Sequence, residues 1–237
     1  MRLFCLSYAG GTTALFRRWC AALPDGIEVC PLELPGHGSR FAEAPCRDME
    51  SVVTAVASGI RVDDGAAYAI CGHSMGALIG FELARLLATR DASEPRVLYV
   101  SGRRAPHVIH PSMSWYARPS GEFVSAFKQV TGSRKHLLDN PKIFAAVDGV
   151  LRADCEIVQT YRFRRGRQLG CPIVAFGGLD DRACGRASLE RWAAHTTADL
   201  RVQMLPGDHF FIDLHRKEFL DVLAADLRER LKALSQR

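Results

Sequence analysis

Residues 68–76 of the 237-residue chain read Tyr-Ala-Ile-Cys-Gly-His-Ser-Met-Gly, and this stretch decides the fold. Its first four residues are an apolar run of the kind that forms a buried strand, and residues 75–89 have the apolar spacing of a helix. The turn between them matches the pattern Gly-x-Ser-x-Gly, with Ser74 at its centre. A serine on a sharp turn from strand to helix is typical of a nucleophile elbow. The stretch therefore predicts an α/β fold in which Ser74 is a catalytic nucleophile.

The context of Ser74 matters more than the pattern, because such a pentapeptide arises by chance in about one chain in ten of this length. In an elbow the serine backbone is strained, so that its hydroxyl stands clear of the sheet. The flanking glycines keep side chains out of a place where strand and helix nearly touch. The helix N-terminus offers its dipole and the Met75 N–H to a developing oxyanion. The alternative is a glycine-rich turn without chemistry.

Strand and helix patterns alternate along the rest of the chain. We expect strands at 2–7, 27–31, 67–72, 96–101, 172–177 and 200–205, and helices at 13–22, 49–60, 75–89, 188–195 and 215–232. Such alternation predicts a mostly parallel sheet with helices on both faces. We interpret residues 1–237 as a single α/β domain.

Residues 103–168 break this rhythm because they contain no strand pattern. Ser120 and Asn140 each stand where a helix begins, with Glu122 or Pro141 in the first turn. We therefore expect a mostly helical insertion. Its large side chains either pack it onto the sheet domain or line a substrate channel; they are Met113, Trp115, Phe123, Phe127, Phe144, Tyr161 and Phe163.

The net charge of +5 is unevenly distributed. Residues 103–168 hold twelve Lys or Arg against five Asp or Glu, a net charge of +7, which leaves −2 for the rest of the chain. This basic segment is either a solvated face or an electrostatic docking surface for an acidic partner. Nucleic acid is a weak alternative, because no helix-turn-helix, zinc-finger or aromatic RNA-binding motif is present.

Composition limits the other classes of function. The fractions of hydrophobic residues, 48%, and charged residues, 24%, are ordinary for a globular protein. The sequence has no apolar stretch of membrane-spanning length and no signal-peptide pattern, so we expect no membrane contact and a cytoplasmic location. Eight cysteines without a C-x-x-C pair favour reduced core thiols over disulfides or a zinc site.

A serine nucleophile needs a histidine base and an orienting acid, which in such a fold follow in the order serine, acid, histidine. His209 follows the strand at 200–205, and Asp180 and Asp181 follow the strand at 172–177, so all three lie at carboxyl ends of strands beside Ser74. The residues alone leave Asp180 and Asp181 as alternatives. The other histidines fit less well: His37 and His73 are in turns, His107, His110 and His136 in the insertion, and His195 and His215 on helices.

A second oxyanion donor is expected from the loop after the first strand, which reads Tyr-Ala-Gly-Gly at residues 8–11. The two glycines let the backbone approach closely, and the backbone N–H of Ala9 is the candidate donor alongside that of Met75. The alternative is an ordinary Gly-Gly turn.

Five motifs together resemble the type II thioesterases, the editing enzymes of polyketide and nonribosomal peptide synthesis within the α/β-hydrolase superfamily. They are residues 8–11, Leu-Pro-Gly-His-Gly at 34–38, the elbow at 72–76, Gly-Leu-Asp-Asp at 178–181 and Gly-Asp-His-Phe at 207–210. They cover nearly the whole chain in order. In that family a proline usually stands where this chain has Ser7. The resemblance implies that Asp181 is the acid and that residues 103–168 form a helical lid.

The resemblance also implies a stand-alone enzyme that hydrolyses aberrant or stalled acyl groups from acyl or peptidyl carrier proteins. The acyl group would arrive on the partner's phosphopantetheine, so no metal or bound cofactor is expected, and a monomer suffices. Carrier domains are commonly acidic, which would give the basic insertion a transient partner. The competing hypotheses are an esterase or lactonase for small esters, a product-releasing thioesterase, and a hydrolase fold reused as a receptor.

Overall fold

The computed structural model of the protein describes residues 1–62, 65–108, 115–131 and 140–236. Six parallel strands form one sheet in the order β2-β1-β3-β4-β5-β6. Their bounds are β1 Arg2–Leu6, β2 Glu28–Pro31, β3 Tyr68–His73, β4 Leu98–Ser101, β5 Ile173–Gly178 and β6 Leu200–Leu205. All six predicted strands are present, and the predicted parallel α/β sheet is confirmed.

The two faces of the sheet bury separate hydrophobic clusters because side chains alternate along each strand. In β3, Ile70 belongs to the cluster under the helices that follow β2 and β3, whereas Cys71 belongs to the cluster on the opposite face. The central strands β3, β4 and β5 are buried at every residue, which explains why they read as continuous apolar runs.

Seven helices flank the sheet in the described residues. They are α1 Met49–Ala57, α2 Met75–Arg90, α3 Ser120–Thr131, α4 Pro141–Thr160, α5 Arg186–Glu190, α6 Phe211–Leu214 and α7 Arg216–Ser235. Short 3₁₀ helices occupy Thr13–Phe16, Gly38–Arg40, Trp115–Ala117 and Arg191–His195. The helices predicted from residues 49, 75 and 215 are therefore present.

The helix predicted at 13–22 is wrong beyond its first turn. Only Thr13–Phe16 is helical, as a 3₁₀ helix, and the N–H of Trp19 then donates to the carbonyl of Phe16 at 3.0 Å. Phe16 and Trp19 are both buried, with ring centroids 4.9 Å apart. A spacing of three residues aligns side chains in a 3₁₀ turn, so burial of this pair favours the tighter geometry. The helix predicted at 188–195 begins earlier, as α5, and ends in the 3₁₀ helix Arg191–His195.

The insertion between β4 and β5 is helical where the structure describes it, since residues 115–131 and 140–168 contain α3, α4 and one 3₁₀ helix. Asn140 caps α4 as predicted, because its Oδ1 accepts the N–H of Lys142 at 3.0 Å. Ser120 is the first residue of α3 and not its predicted cap. The first helical hydrogen bond runs from the N–H of Phe123 to the carbonyl of Pro119, so the helix already includes Ser120.

The aromatic side chains of the insertion divide into two groups. Phe123 and Phe127 are buried in a small cluster with Leu151 between α3 and α4. Phe163 packs toward Phe81 of the sheet domain, with ring centroids 6.3 Å apart. Met113 and the side chain of Trp115 lie outside the described residues. Phe123, Phe127 and Phe163 therefore serve packing, as one of the two interpretations expected. The boundaries of the domain and of its lid stay predictions.

Within the described ranges no helix combines the length and apolar character needed to span a membrane. The eight cysteines, all of which the structure describes, are free thiols, and five of them are buried.

Candidate active site

Ser74 lies between β3 and α2 with φ 55° and ψ −112°, a backbone conformation that a residue with a side chain rarely adopts. Its N–H donates to the carbonyl of Ser101 at the end of β4, at 2.7 Å. A Cβ atom at Gly72 would collide with the carbonyl of Gly76, and one at Gly76 would collide with the carbonyl of Leu6. The two glycines of the motif are therefore required by the close approach of strand and helix.

The structure brings Ser74, His209 and Asp181 together. The His209 Nε2 lies 3.0 Å from the Ser74 Oγ, and the His209 Nδ1 lies 2.8 Å from the Asp181 Oδ2. The other carboxylate oxygen of Asp181 accepts the backbone N–H groups of Ala183 at 2.8 Å and Cys184 at 3.2 Å. Asp181 is thus held in one orientation, with its free lone pairs toward His209.

Asp180 is placed differently from its neighbour. Its backbone N–H donates to the carbonyl of Gly207 at 2.9 Å, and its residue is exposed. The carboxylate that reaches the His209 imidazole is that of Asp181. The sequence motifs alone could not choose between Asp180 and Asp181, and the geometry favours Asp181. The catalytic roles of the three side chains stay predictions.

His73, next to the serine, holds the loop that carries His209. Its ring is fully buried, with Nε2 2.9 Å from the carbonyl oxygen of His209 and Nδ1 2.8 Å from the Ser101 Oγ. Because a carbonyl can only accept, Nε2 carries the hydrogen and Nδ1 accepts from the hydroxyl of Ser101. Both nitrogens are engaged away from Ser74, so His73 has no free nitrogen with which to act as its base.

The two candidate oxyanion donors follow neighbouring strands. The sheet order reverses at β1, since β2 lies on one side of it and β3 on the other, and ligands bind at the carboxyl ends of strands at such a point. Met75 is the first residue of α2, where N–H groups have no partner within the helix. Ala9 sits in a turn closed by the Gly11 N–H on the Tyr8 carbonyl at 2.8 Å. Both residues therefore follow the carboxyl ends of neighbouring strands, as Ser74 does, and the role of their N–H groups as oxyanion donors stays a prediction.

The loop that contains Ala9 is tied to the insertion. The backbone N–H of Gly10 donates to the Asp154 Oδ2 of α4 at 2.6 Å, and the same oxygen lies 2.9 Å from the His37 Nε2. The sequence patterns gave no role to Asp154, and they placed His37 only in a turn. One signal was present: Asp154 shares a helix face with Leu151 and Val158, where an acid is out of place on an apolar stripe.

The pair of His37 and Asp154 is buried, and its geometry favours the protonated form of the imidazole. Both ring nitrogens of His37 face acceptors, because Nδ1 lies 3.0 Å from the carbonyl oxygen of Pro35. Burial lowers the pKa of His37, but the hydrogen bond and the charge of Asp154 outweigh it, so the pKa is raised above its ordinary value. The side chains are 3% and 2% exposed, so solvent screens the pair little.

Replacement of Asp154 by alanine is expected to lower the free energy of unfolding by about 3–5 kcal/mol, because it leaves the buried His37 ring without the acceptor of its Nε2. The Gly10 N–H also loses its acceptor. Since the pKa of His37 is higher in the folded state, the pair's contribution is complete below the ordinary histidine pKa and is lost as pH rises through the folded value. Urea unfolding at several pH values measures both effects: the gap between wild type and variant should narrow as pH rises.

Asp148 on the same helix supplies the matched control. It pairs with Arg152 at 2.7 Å, but the two side chains are 28% and 19% exposed. Its replacement by alanine should cost less than about 1 kcal/mol and show no such pH dependence. Equal stabilities for the two variants would contradict the assigned role of the buried pair.

Comparison with known proteins gives a consistent result. The profile of the thioesterase domain family matches residues 1–227. The gramicidin S biosynthesis protein GrsT of Aneurinibacillus migulanus is 36% identical over 228 residues, which cover 96% of this chain and 89% of that protein.

Two solved structures resemble the chain over most of their length. RedJ, a thioesterase from the prodiginine biosynthetic pathway in Streptomyces coelicolor, is 34% identical with a TM-score of 0.87, covering 95% of this chain and 89% of that one. BorB, a type II thioesterase from the borrelidin biosynthetic cluster, is 28% identical with a TM-score of 0.86, covering 94% of this chain and 91% of that one.

Proposed function

Because the chain belongs to the thioesterase domain family, we propose that it is a type II thioesterase that removes aberrant or stalled acyl groups from phosphopantetheinyl carrier proteins. The observation that carries the proposal is the continuous hydrogen-bonded arrangement of Ser74, His209 and Asp181 at the carboxyl edge of the sheet. Support for the class of substrate comes from GrsT, RedJ and BorB, whose names connect them to peptide and polyketide-type biosynthesis. The acyl group arrives on the phosphopantetheine of the carrier protein, so the proposed reaction requires no metal or cofactor bound to the enzyme.

The proposed reaction has two halves. His209 accepts the proton of Ser74 while the serine oxygen attacks the thioester carbonyl, and Asp181 stabilises the imidazolium. The N–H groups of Ala9 and Met75 bind the oxyanion. The carbon–sulfur bond then breaks, and the thiol leaves with the proton from His209. In the second half, His209 takes a proton from water, which attacks the acyl-serine; the acid is released and Ser74 recovers its hydrogen.

The substrate class is tested by measuring hydrolysis of one acyl group in three forms. They are its thioester on a holo carrier protein, its thioester with a small thiol and its ester with a simple alcohol. We expect kcat/KM to be at least about tenfold higher for the acyl carrier protein than for the simple ester, since only the carrier adds binding energy outside the acyl group. The preference should weaken as salt is added, because contacts between surface charges are screened.

The competing functions give different results in the same assay. Comparable rates on carrier and simple ester, without salt dependence, would indicate an esterase or lactonase. Preference for one long, finished acyl chain over acetyl and other short groups would indicate a product-releasing enzyme. A cytoplasmic location and a monomeric state belong to the proposal and stay predictions.

A further inference from the structure

Three exposed large hydrophobic side chains lie along the carboxyl edge of the sheet. Among the residues that the structure describes, Phe41, Leu179 and Leu214 are 78%, 66% and 60% exposed. Phe41 follows β2, Leu179 follows β5 and Leu214 follows β6, so all three lie beyond the carboxyl ends of strands, at the edge where Ser74 opens. Single exposed apolar residues are common on protein surfaces, but two of them on adjoining loops beside a reactive group indicate a contact surface.

Leu179 and Leu214 lie on the loops that hold the acid and the base, and these two loops touch. The N–H of Leu179 donates to the carbonyl of Leu205 at 2.8 Å, and the next N–H, from Asp180, donates to Gly207 at 2.9 Å. A Cβ at Gly207 would lie 2.6 Å from the ring of His215, the residue after Leu214. The peptide of Gly207 therefore lies between the segments that carry Leu179 and Leu214. Phe41, which follows β2, lies at the opposite end of the sheet.

Arg182 adds an exposed cation to this surface. It is exposed directly after Asp181, and among the described residues its side chain has no hydrogen bond or ion pair. Nearby cations are already paired: Arg216 lies 3.7 Å from Asp213, and Lys217 lies 2.7 Å from Asp221. The adjacent exposed acid is Asp180, and Arg186 of α5 is paired with Glu190 at 3.9 Å. We call Leu179, Arg182 and Leu214 the docking face.

The arginine-rich end of the insertion lies at the other edge of the sheet. Arg167 pairs at 3.3 Å with Glu94, which precedes β4. Leu169 forms a bridge with Thr196, which precedes β6. Arg167 therefore lies near the amino ends of the strands, about 20 Å from the edge that carries Ser74. The Arg164 carbonyl accepts from Arg85 in the second half of α2, at 3.1 Å, which also places it away from Ser74. A partner bound to these arginines would face away from the nucleophile.

We propose that the carrier domain delivering the thioester docks on the face made by Leu179, Arg182 and Leu214. This inference rests on the proposed function, because it assumes a phosphopantetheinyl substrate. An apolar surface of the carrier packs against the two leucines, and Arg182 pairs with the phosphodiester that joins the arm to the protein. The arm then enters at the carboxyl edge toward Ser74, and the arginines at 162–167 have no part in docking.

The test compares Arg182→Glu and Leu214→Asp with the control Arg164→Glu. Each protein is assayed on one acyl group carried by the holo carrier protein and on the same acyl group carried by N-acetylcysteamine, which has no protein or phosphate. We expect the ratio of kcat/KM for the carrier to that for the small thioester to fall at least about tenfold in both docking-face variants, chiefly through KM. The ratio should be unchanged in Arg164→Glu.

The two substrates separate the possible failures. A ratio that falls in Arg164→Glu and not in Arg182→Glu or Leu214→Asp overturns the docking face in favour of the amino edge. Equal losses on both substrates overturn it as well, because they indicate damage to the adjacent Asp181 or His209. If wild type shows no preference for the carrier over N-acetylcysteamine, the proposed function itself fails.

Salt provides a further measurement. In the wild type the KM for the acyl carrier protein should rise as salt is added, and this rise should be smaller in Arg182→Glu.

Discussion

Replacement of Ser74 by alanine is expected to reduce kcat for acyl release from a carrier protein by a factor of about 10⁴–10⁶, the loss seen when a serine nucleophile is removed from a triad. The hydroxyl that would form the acyl-enzyme is 3.0 Å from the His209 Nε2, and alanine offers no atom in its place. Single-turnover release of a labelled acetyl group measures the effect directly.

The fold should survive this substitution. Alanine has the same Cβ as serine and therefore meets the same strain at φ 55°, and the N–H to the Ser101 carbonyl is retained. Thermal unfolding should accordingly change little. Labelling by a fluorophosphonate probe supplies an independent check, since wild type should carry one adduct at Ser74 and the variant none. Release at wild-type rates by the variant would show that the nucleophile is misassigned, and an unlabelled wild type would favour a receptor.

Much of the architecture could be predicted because the relevant signals are local. The buried strands β3, β4 and β5 read as apolar runs, and their order along the chain fixes which loops meet at the carboxyl edge. The elbow at Ser74 was recognisable because two glycines are needed where strand and helix approach. Signals of this kind depend on a few adjacent residues, and tertiary context did not override them.

The parts that escaped prediction depend on residues far apart in the chain. The His37 and Asp154 side chains are 117 positions apart, and the packing of α4 against the loops after β1 and β2 brings them together. Likewise the 3₁₀ geometry near Phe16 and Trp19 follows from burial of both rings in one core cluster, where the Trp19 ring lies 5.4 Å from Phe219, and not from local propensity. The basic character of residues 103–168 was visible in the sequence, but the edge of the sheet that the arginines at 162–167 face was not.

The choice between two adjacent acids shows the same limit at the site itself. Both Asp180 and Asp181 follow β5, and only the turn after the strand decides which side chain points inward. The N–H groups of Ala183 and Cys184 hold one oxygen of Asp181, which leaves the other for His209. The resemblance to type II thioesterases favoured the same residue, but nothing in the spacing of the two acids could have done so.

Replacement of Asp181 by asparagine is therefore expected to reduce kcat by about 10⁴-fold with the fold intact. The side-chain oxygen of asparagine has to face the two backbone N–H groups that now bind the Asp181 Oδ1, so its NH₂ group faces the His209 Nδ1. A donor at that position forces Nδ1 to accept and leaves the hydrogen on Nε2, which can then no longer take the proton of Ser74. Asp180→Asn is the matched control, and because Asp180 is exposed its kcat should stay within about twofold of wild type. A large loss in Asp180→Asn with little loss in Asp181→Asn would reverse the assignment.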